Sequence, residues 1–214
     1  EVINKHKPDI FLVYADRFET FAAAIASSQT NTATAHVEGG DITQGGALDD
    51  NVRHAITKLS HLHFSTNNEA TNRILGMGEE KWRVHTVGYP GIDLININDF
   101  SAVDEIEKEF NLDISKPIII FTQHSVSNKY NLVIDQLKPA LDAIKTISDE
   151  GPVQSLLTYP NNDAGGKKIY EIIKSYASKN IKIYKSLGRK NYWGLLNLSK
   201  NPNYRIVCVG NSSS

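Results

Sequence analysis

Short apolar runs alternate with segments of helical spacing along the whole 214-residue chain, and this alternation constrains the fold more than any other feature. Runs such as IFLVY and IIIFT are continuously apolar, which is typical of strands buried on both faces of a parallel sheet. Strands that alternate with helices predict an α/β fold with parallel sheets. The predicted strands are 9–14, 33–37, 62–66, 84–87, 118–122, 154–159, 181–185 and 205–209.

The helices predicted between these strands divide into two series. They cover about 18–25, 52–59, 67–77, 132–148, 167–178 and 191–198. After Asn96 the composition becomes polar and acidic, so we predict a partial N-terminal Rossmann-like lobe at 1–97, a hinge at 98–116 and a partial C-terminal lobe at 117–214, with a cleft between the lobes. The chain starts inside a helix-like segment and stops at GNSSS, directly after a strand, so we expect a fragment.

Composition argues against several classes of function. The net charge of −1 provides no electrostatic footprint for nucleic acid or an anionic membrane. No apolar run approaches the roughly 18–20 residues of a membrane span, and EVINKHKPD is not a signal peptide. The single cysteine, Cys208, lies in RIVCVG and is predicted to be a buried core thiol. One cysteine excludes an internal disulfide, which fits a cytoplasmic protein.

Polar residues follow almost every predicted strand. Because the carboxyl ends of parallel strands open into the ligand crevice, these side chains are candidates for one site. Glycine at 188 and at 210 precedes polar residues and would let backbone amides approach an anion, although neither GxxxxGK[ST] nor GxGxxG is present. The candidates by position are Asp16, Arg17, Glu19, Glu38, Asp41, His124, Ser125, Asn161, Asp163, Ser186, Gly188, Asn211, Ser212, Ser213 and Ser214.

The densest group of charged residues lies in HVEGGDITQGGALDDNVRHAITKLSHLHF, which starts at His36. Asp49 and Asp50 would open a helix, where the helix dipole favours carboxylates. Each is four residues from a basic side chain, which also fits an ordinary surface pair. His61 and His63 form an HxH that could be half a metal site or could have structural partners. With one cysteine and no carboxylate at ligand spacing, we predict no metal.

Seven motifs occur in an order that resembles the UDP-N-acetylglucosamine 2-epimerase family, and more closely its hydrolysing, sialic-acid-type branch. They are ADRFE, HVEGGD, LDDNVRHAITKLSHLHF, GYPGID, TYPNNDAGG, SLGRKNYWGLL and GNSSS, from about residue 9 to residue 214. The resemblance implies a GT-B arrangement of two lobes, a UDP-sugar substrate, no cofactor and a homodimer. It also implies elimination of UDP and hydration of a glucal, which releases the 2-epimeric free sugar. Family members often have glycine in place of Ala15.

The resemblance assigns roles to individual positions. Three acids, Asp16, Glu38 and Asp49, match the catalytic carboxylates. The helix that carries Arg53 and His54 would face the sugar. The second lobe would bind the nucleotide through His124, Asn161, Asp163, Ser186, Gly188, Asn211, Ser212 and Ser213.

Three alternatives stay open at this point. A non-hydrolysing epimerase would keep the bond between sugar and UDP. A GT-B glycosyltransferase would pass the sugar to an acceptor, and a binding module would bind without turnover. The sugar is also open, since UDP-N-acetylglucosamine and diacetamido-trideoxy relatives are both handled by this branch.

Overall fold

A computed structural model describes residues 1–43, 48–124, 132–161 and 165–210. Within these residues the chain forms two parallel sheets of four strands each, with helices between consecutive strands. The predicted α/β class is therefore confirmed. Contacts between Cα atoms divide the chain into two compact units, Glu1–Asp93 and Leu94–Ser214. None of the helices in the described part of the chain is both long and apolar enough to cross a bilayer.

The first unit is a sheet in strand order β1-β2-β3-β4. Its small core is centred on Val13 of β1, Ala24 of α2 and Ile56 of α3, all buried. The side chain of Asn67 accepts a 2.8 Å hydrogen bond from the Ala70 N–H and so caps α4. The elements are α1 (Val2–His6), β1 (Ile10–Tyr14), α2 (Phe18–Gln29), β2 (Ala33–Val37), α3 (Leu48–Leu59), β3 (Leu62–Ser65), α4 (Asn68–Gly76) and β4 (Val84–Thr86).

The second unit is a sheet in strand order β7-β6-β5-β8. Alternate residues of β5 face opposite sides, so that Ile120 packs in one core with α6 and α9, and Phe121 packs in another with α7 and α8. In this order the chain reverses direction across the sheet between β5 and β8, which is where α/β sheets bind ligands. Helix α5 (Pro90–Asn96) contains the boundary between the two units. The elements of the second unit are α6 (Val103–Phe110), β5 (Ile118–Thr122), α7 (Val133–Glu150), β6 (Gln154–Thr158), α8 (Gly166–Lys174), β7 (Ile181–Tyr184), α9 (Arg189–Leu198) and β8 (Ile206–Gly210).

The segment predicted as a hinge, 98–116, contains the helix α6. Ile106 and Phe110 of this helix are buried in the core of the second unit beside Leu195. Because these two apolar residues lie four positions apart on one helix face, they bury a narrow stripe while the rest of the segment stays polar. The low apolar content therefore reflects an amphipathic surface helix. The predicted domain limits stay a prediction.

The prediction for Cys208 was wrong, because its side chain is exposed. It lies on β8, which is the edge strand of its sheet, and four of the five residues of β8 are exposed. Partial burial still raises the pKa of the thiol. An apolar run indicates a strand correctly, but it does not reveal whether that strand is central or at the edge.

Candidate functional site

The site in the first unit begins where β1 ends. Ala15 has a left-handed backbone with φ of 58°. Its N–H donates to the Val37 carbonyl at 2.9 Å, and its own carbonyl lies 2.8 Å from Nε2 of His36. The chain thus adopts at an alanine the conformation that glycine adopts freely, and this turn directs Asp16 out of the sheet.

Glu38 lies where β2 ends and also has a left-handed backbone, with φ of 62°. Its N–H donates to the Phe64 carbonyl at 2.9 Å, so the strained residue is held by β3. The hydroxyl of Tyr14 donates a short hydrogen bond to the Glu38 carboxylate. Burial raises the pKa of Glu38, and the nearby Asp41 raises it further, while the hydrogen bond from Tyr14 lowers it. A carboxyl group with a raised pKa is suited to proton transfer near neutral pH.

The two glycines after Glu38 are required by close packing. A Cβ atom on Gly39 would lie 2.9 Å from Nδ1 of His36, and one on Gly40 would clash with the Ala70 carbonyl oxygen. Gly40 also has φ of 84°. The loop can therefore pass closely over β2 and the start of α4 only without side chains at these positions.

Asp41 and Arg53 tie the loops of this site together. The Asp41 carboxylate accepts from Oγ1 of Thr66 at 2.9 Å and from Nδ2 of Asn67 at 3.2 Å, which joins the loops that follow β2 and β3. Asp41 therefore links two loops of the site. Its carbonyl accepts from Nη1 of Arg53 at 2.7 Å.

Arg53 is only 8% exposed and pairs with two carboxylates. Its Nη2 donates a hydrogen bond to Oδ2 of Asp16, and its Nη1 lies 3.0 Å from Oδ1 of Asp50. A guanidinium group can bind several acceptors at once, and α3 presents it toward the end of β1. The structure thus brings Asp16, Glu38 and Arg53 to one edge of the sheet. The predicted contact between Arg53 and the sugar stays a prediction.

Sequence reasoning missed Tyr14, His36 and Thr57, which support this edge. His36 is fully buried; its Nδ1 lies 3.2 Å from Oγ1 of Thr57, and burial lowers its pKa to about 4. It is therefore neutral at pH 7, and Nε2 is the nitrogen that donates to the Ala15 carbonyl. A polar residue at a buried strand position was the available signal, because such a group needs a partner.

The remaining candidates of the first unit lie on α3. Asp49 is in its first turn and half-buried. Nδ1 of His54 is buried from solvent and has no hydrogen-bond partner among the described residues. A buried nitrogen of this kind can bind a polar group of a ligand.

The two histidines of HxH have partners within the protein. Nε2 of His63 lies 3.2 Å from Oε2 of the buried Glu79, and Nδ1 of His61 accepts from the Thr34 N–H at 3.1 Å. His63 therefore has a structural partner, which was one of the two interpretations of the HxH motif. Across the described ranges, no group of three or more histidine, cysteine, aspartate or glutamate side chains is arranged to hold a metal ion.

In the second unit, two pairs of candidates are adjacent. Nδ1 of His124, after β5, accepts from the Asn161 N–H at 2.9 Å, after β6. Oγ of Ser186, after β7, accepts from the Gly188 N–H at 3.0 Å, and Gly188 has φ of 73° directly before α9. Six further candidates, Ser125, Asp163, Asn211, Ser212, Ser213 and Ser214, lie outside the described residues.

Comparison with known proteins gives a consistent result. The family model described as UDP-N-acetylglucosamine 2-epimerase matches residues 1–213. A protein of Legionella pneumophila named UDP-N,N'-diacetylbacillosamine 2-epimerase (hydrolyzing) is 33% identical over 100% of this chain and 54% of its own length. Campylobacter jejuni has a GDP/UDP-N,N'-diacetylbacillosamine 2-epimerase (hydrolyzing) that is 30% identical over 97% of this chain and 52% of its own length.

Solved structures agree on the fold. The crystal structure of UDP-GlcNAc 2-epimerase from Neisseria meningitidis, bound to UDP-GlcNAc, has a TM-score of 0.72 at 18% identity and covers 99% of this chain and 57% of that one. The Methanocaldococcus jannaschii UDP-GlcNAc 2-epimerase, in complex with UDP-GlcNAc and UDP, has a TM-score of 0.68 at 22% identity, with the same coverage. This chain spans about half the length of the relatives that it matches. By the family model and by these relatives, the chain belongs to the UDP-N-acetylglucosamine 2-epimerase family.

Proposed function

We propose that the complete protein is a hydrolysing UDP-N-acetylglucosamine 2-epimerase, which converts a UDP-2-acetamido sugar into UDP and the 2-epimeric free sugar. The observation that carries the proposal is the cluster of Glu38, Asp16 and Arg53 at one edge of the first sheet. Two relatives with names that include "hydrolyzing" support this type of reaction over the non-hydrolysing one.

The reaction explains the need for carboxylates. The hydrogen on C2 of the sugar is not adjacent to a carbonyl group and is hardly acidic. When the C1–O bond breaks, its electron pair leaves with UDP, and positive charge develops at C1. A carboxylate then takes the C2 proton, and the C2–H electron pair forms the C1=C2 bond of a 2-acetamidoglucal. Water adds hydroxyl to C1 and a proton to the opposite face of C2, which inverts that centre.

Glu38 is our candidate for the group that removes the C2 proton. Burial raises its pKa, so that it gains basicity compared with an exposed carboxylate. Arg53 holds Asp16 in place, and the Asp16 carboxylate would stabilise the positive charge that develops on the ring. Asp49 and His54, on the same helix as Arg53, are proposed to face the sugar and to supply the proton in the hydration step.

The second unit is proposed to bind the nucleotide. The backbone N–H groups at the start of α9, after Gly188, suit an anion, because the first amides of a helix have no partner within the helix. His124 with Asn161, and Ser186 with Gly188, would contact the nucleotide with the undescribed Asp163, Asn211, Ser212 and Ser213. A homodimer in the cytoplasm also stays a prediction.

The sugar is proposed to be either UDP-N-acetylglucosamine or a UDP-diacetamido-trideoxy sugar. The second class is supported by the names of the relatives from Legionella and Campylobacter. The test is to offer both substrates to the complete protein in deuterated water and to analyse the products by mass spectrometry and NMR. We expect free UDP and a free sugar with deuterium at an inverted C2.

Other products would assign the protein differently. Deuterium at C2 with UDP still attached would establish a non-hydrolysing epimerase. Turnover only with a sugar acceptor would establish a glycosyltransferase, and UDP binding without turnover would establish a binding module.

Within the proposal, Glu38→Gln is expected to abolish turnover and spare UDP binding, whereas Glu69→Gln, at an exposed position of the same unit, should change neither. An undiminished rate for Glu38→Gln would contradict the assignment.

A further inference from the structure

Tyr14 lies where β1 meets the acidic group of the site. It is the last residue of β1, its side chain is 45% exposed, and its hydroxyl donates to Oε1 of Glu38. In the register of the sheet Tyr14 pairs with Val37, the residue before Glu38. Tyr14 therefore neither fills the core nor forms part of the acidic group, but it touches the acid on which the proposed reaction depends.

The backbone on both sides holds this contact in place. The Tyr14 carbonyl accepts from Oγ1 of Thr20 at 3.0 Å, and the Glu38 N–H is bound to the Phe64 carbonyl. The left-handed turn at Glu38 determines where its side chain starts, and the Tyr14 hydroxyl determines where one carboxylate oxygen ends. A carboxylate with one oxygen held by a donor presents the other oxygen in one orientation.

We propose that Tyr14 is a positioning residue for Glu38: it holds one carboxylate oxygen and leaves the other to accept the C2 proton of the sugar. The inference rests on the proposed function and deepens it, since neither the sequence motifs nor the acids themselves include Tyr14. A hydroxyl of this kind also influences when the carboxylate is ionised, because a hydrogen bond to the charged form stabilises that form.

The charged and titratable groups around Glu38 determine the direction of the effect. Asp16, which follows β1, and Asp41, in the loop after β2, raise the pKa of Glu38, and Arg53 of α3 lowers it. The Tyr14 hydroxyl also lowers it. Burial raises the pKa of Tyr14, and the Glu38 carboxylate and Tyr89, from the loop after β4, raise it further. Tyr14 thus stays protonated as a donor, and its loss would raise the pKa of Glu38.

The test is Tyr14→Phe in the complete protein, with Tyr176→Phe as a matched control. Tyr176 makes the same kind of contact in the second unit, where its hydroxyl donates to Asp142 at 2.6 Å. We expect kcat of Tyr14→Phe to fall roughly 10- to 100-fold, which corresponds to about 1.4–2.7 kcal/mol of lost transition-state stabilisation, with little change in KM. The acidic limb of the kcat/KM profile should move to higher pH, because Glu38 must be ionised to accept a proton. The control should keep the wild-type kcat and profile.

A second measurement separates this inference from the proposed function. The Glu38 side-chain carbon can be titrated by NMR with 13C-labelled glutamate, assigned with Glu38→Gln, and this readout needs no turnover. We expect Tyr14→Phe, but not Tyr176→Phe, to raise the pKa of Glu38. An unchanged titration would overturn the inference even if the wild type is active, and so would a shifted titration with unchanged kcat. A wild type that is inactive on both UDP sugars would refute the proposed reaction and, with it, the catalytic purpose of the contact.

Discussion

Replacing Ala15 by glycine is expected to stabilise the first unit, because Ala15 has a left-handed backbone with φ of 58°. That conformation costs a residue with a Cβ atom about 1–2 kcal/mol. Glycine avoids this cost but loses about 0.5–1 kcal/mol through its greater freedom in the unfolded chain. The difference predicts a net gain of roughly 0.5–1 kcal/mol. Both backbone hydrogen bonds of Ala15 are retained, so the position of Asp16 and the turnover should change little.

Two control substitutions make this reasoning testable. Ala22 lies at an exposed position in the interior of α2, so Ala22→Gly should lower the stability of the first unit by about 1 kcal/mol. Ala15→Val keeps the strain and adds a β-branched side chain, which should make it less stable than the wild type. Stability would be measured by hydrogen exchange of backbone amides in peptides that cover β1 and β2, because a two-unit protein need not unfold in one step.

The expected order of protection against exchange is Ala15→Gly, then wild type, then Ala22→Gly and Ala15→Val. If Ala15→Gly loses as much protection as Ala22→Gly, the left-handed turn at the end of β1 does not carry the cost assigned to it, and the reasoning is wrong.

Three further predictions concern the site. Gly40→Ala should destabilise the protein by about 2 kcal/mol or more in urea unfolding, since it combines φ of 84° with a clash against a carbonyl, whereas Gly76→Ala, with open space around it, should not. Arg53→Met should lower the free energy of unfolding by about 3 kcal/mol, because it leaves the Asp16 carboxylate without its guanidinium partner. A drop in Tm no larger than that of a surface substitution would contradict the ion pair. Burial lowers the pKa of His36 from 6.5 to about 4, so the folded state resists protonation of this histidine. The free energy of unfolding should therefore be at its full value above pH 6.5 and should fall by up to about 3 kcal/mol as the pH is lowered toward 4. In His36→Gln this pH dependence should be weaker.

The sequence predicted most strands and helices because the spacing of apolar residues differs between the two. Strands 33–37 and 118–122 match β2 and β5 at both ends. The sequence did not predict α6, because only Ile106 and Phe110 of this helix form its buried apolar stripe. It also placed Cys208 in the core, although β8 is an edge strand. Both errors have one cause: a local pattern does not reveal which elements cover one another.

For the candidate site, the sequence indicated the acids and the edge of the sheet where they lie. It did not reveal that Arg53 binds Asp16, because these residues are 37 positions apart and Asp50 is a nearer partner. Nor did it distinguish Tyr14 from an ordinary strand residue, since its contact with Glu38 crosses from one strand to the next.

The sequence by itself determined the α/β alternation, the family motifs and the residue types available for proton transfer, because these depend on local order along the chain. Only the tertiary structure decided which carboxylate gains a raised pKa, which one pairs with a guanidinium, and which tyrosine holds the acid in place. Those properties depend on burial and on distances between strand ends, which are determined by how the parallel strands align and by the left-handed turns at Ala15 and Glu38.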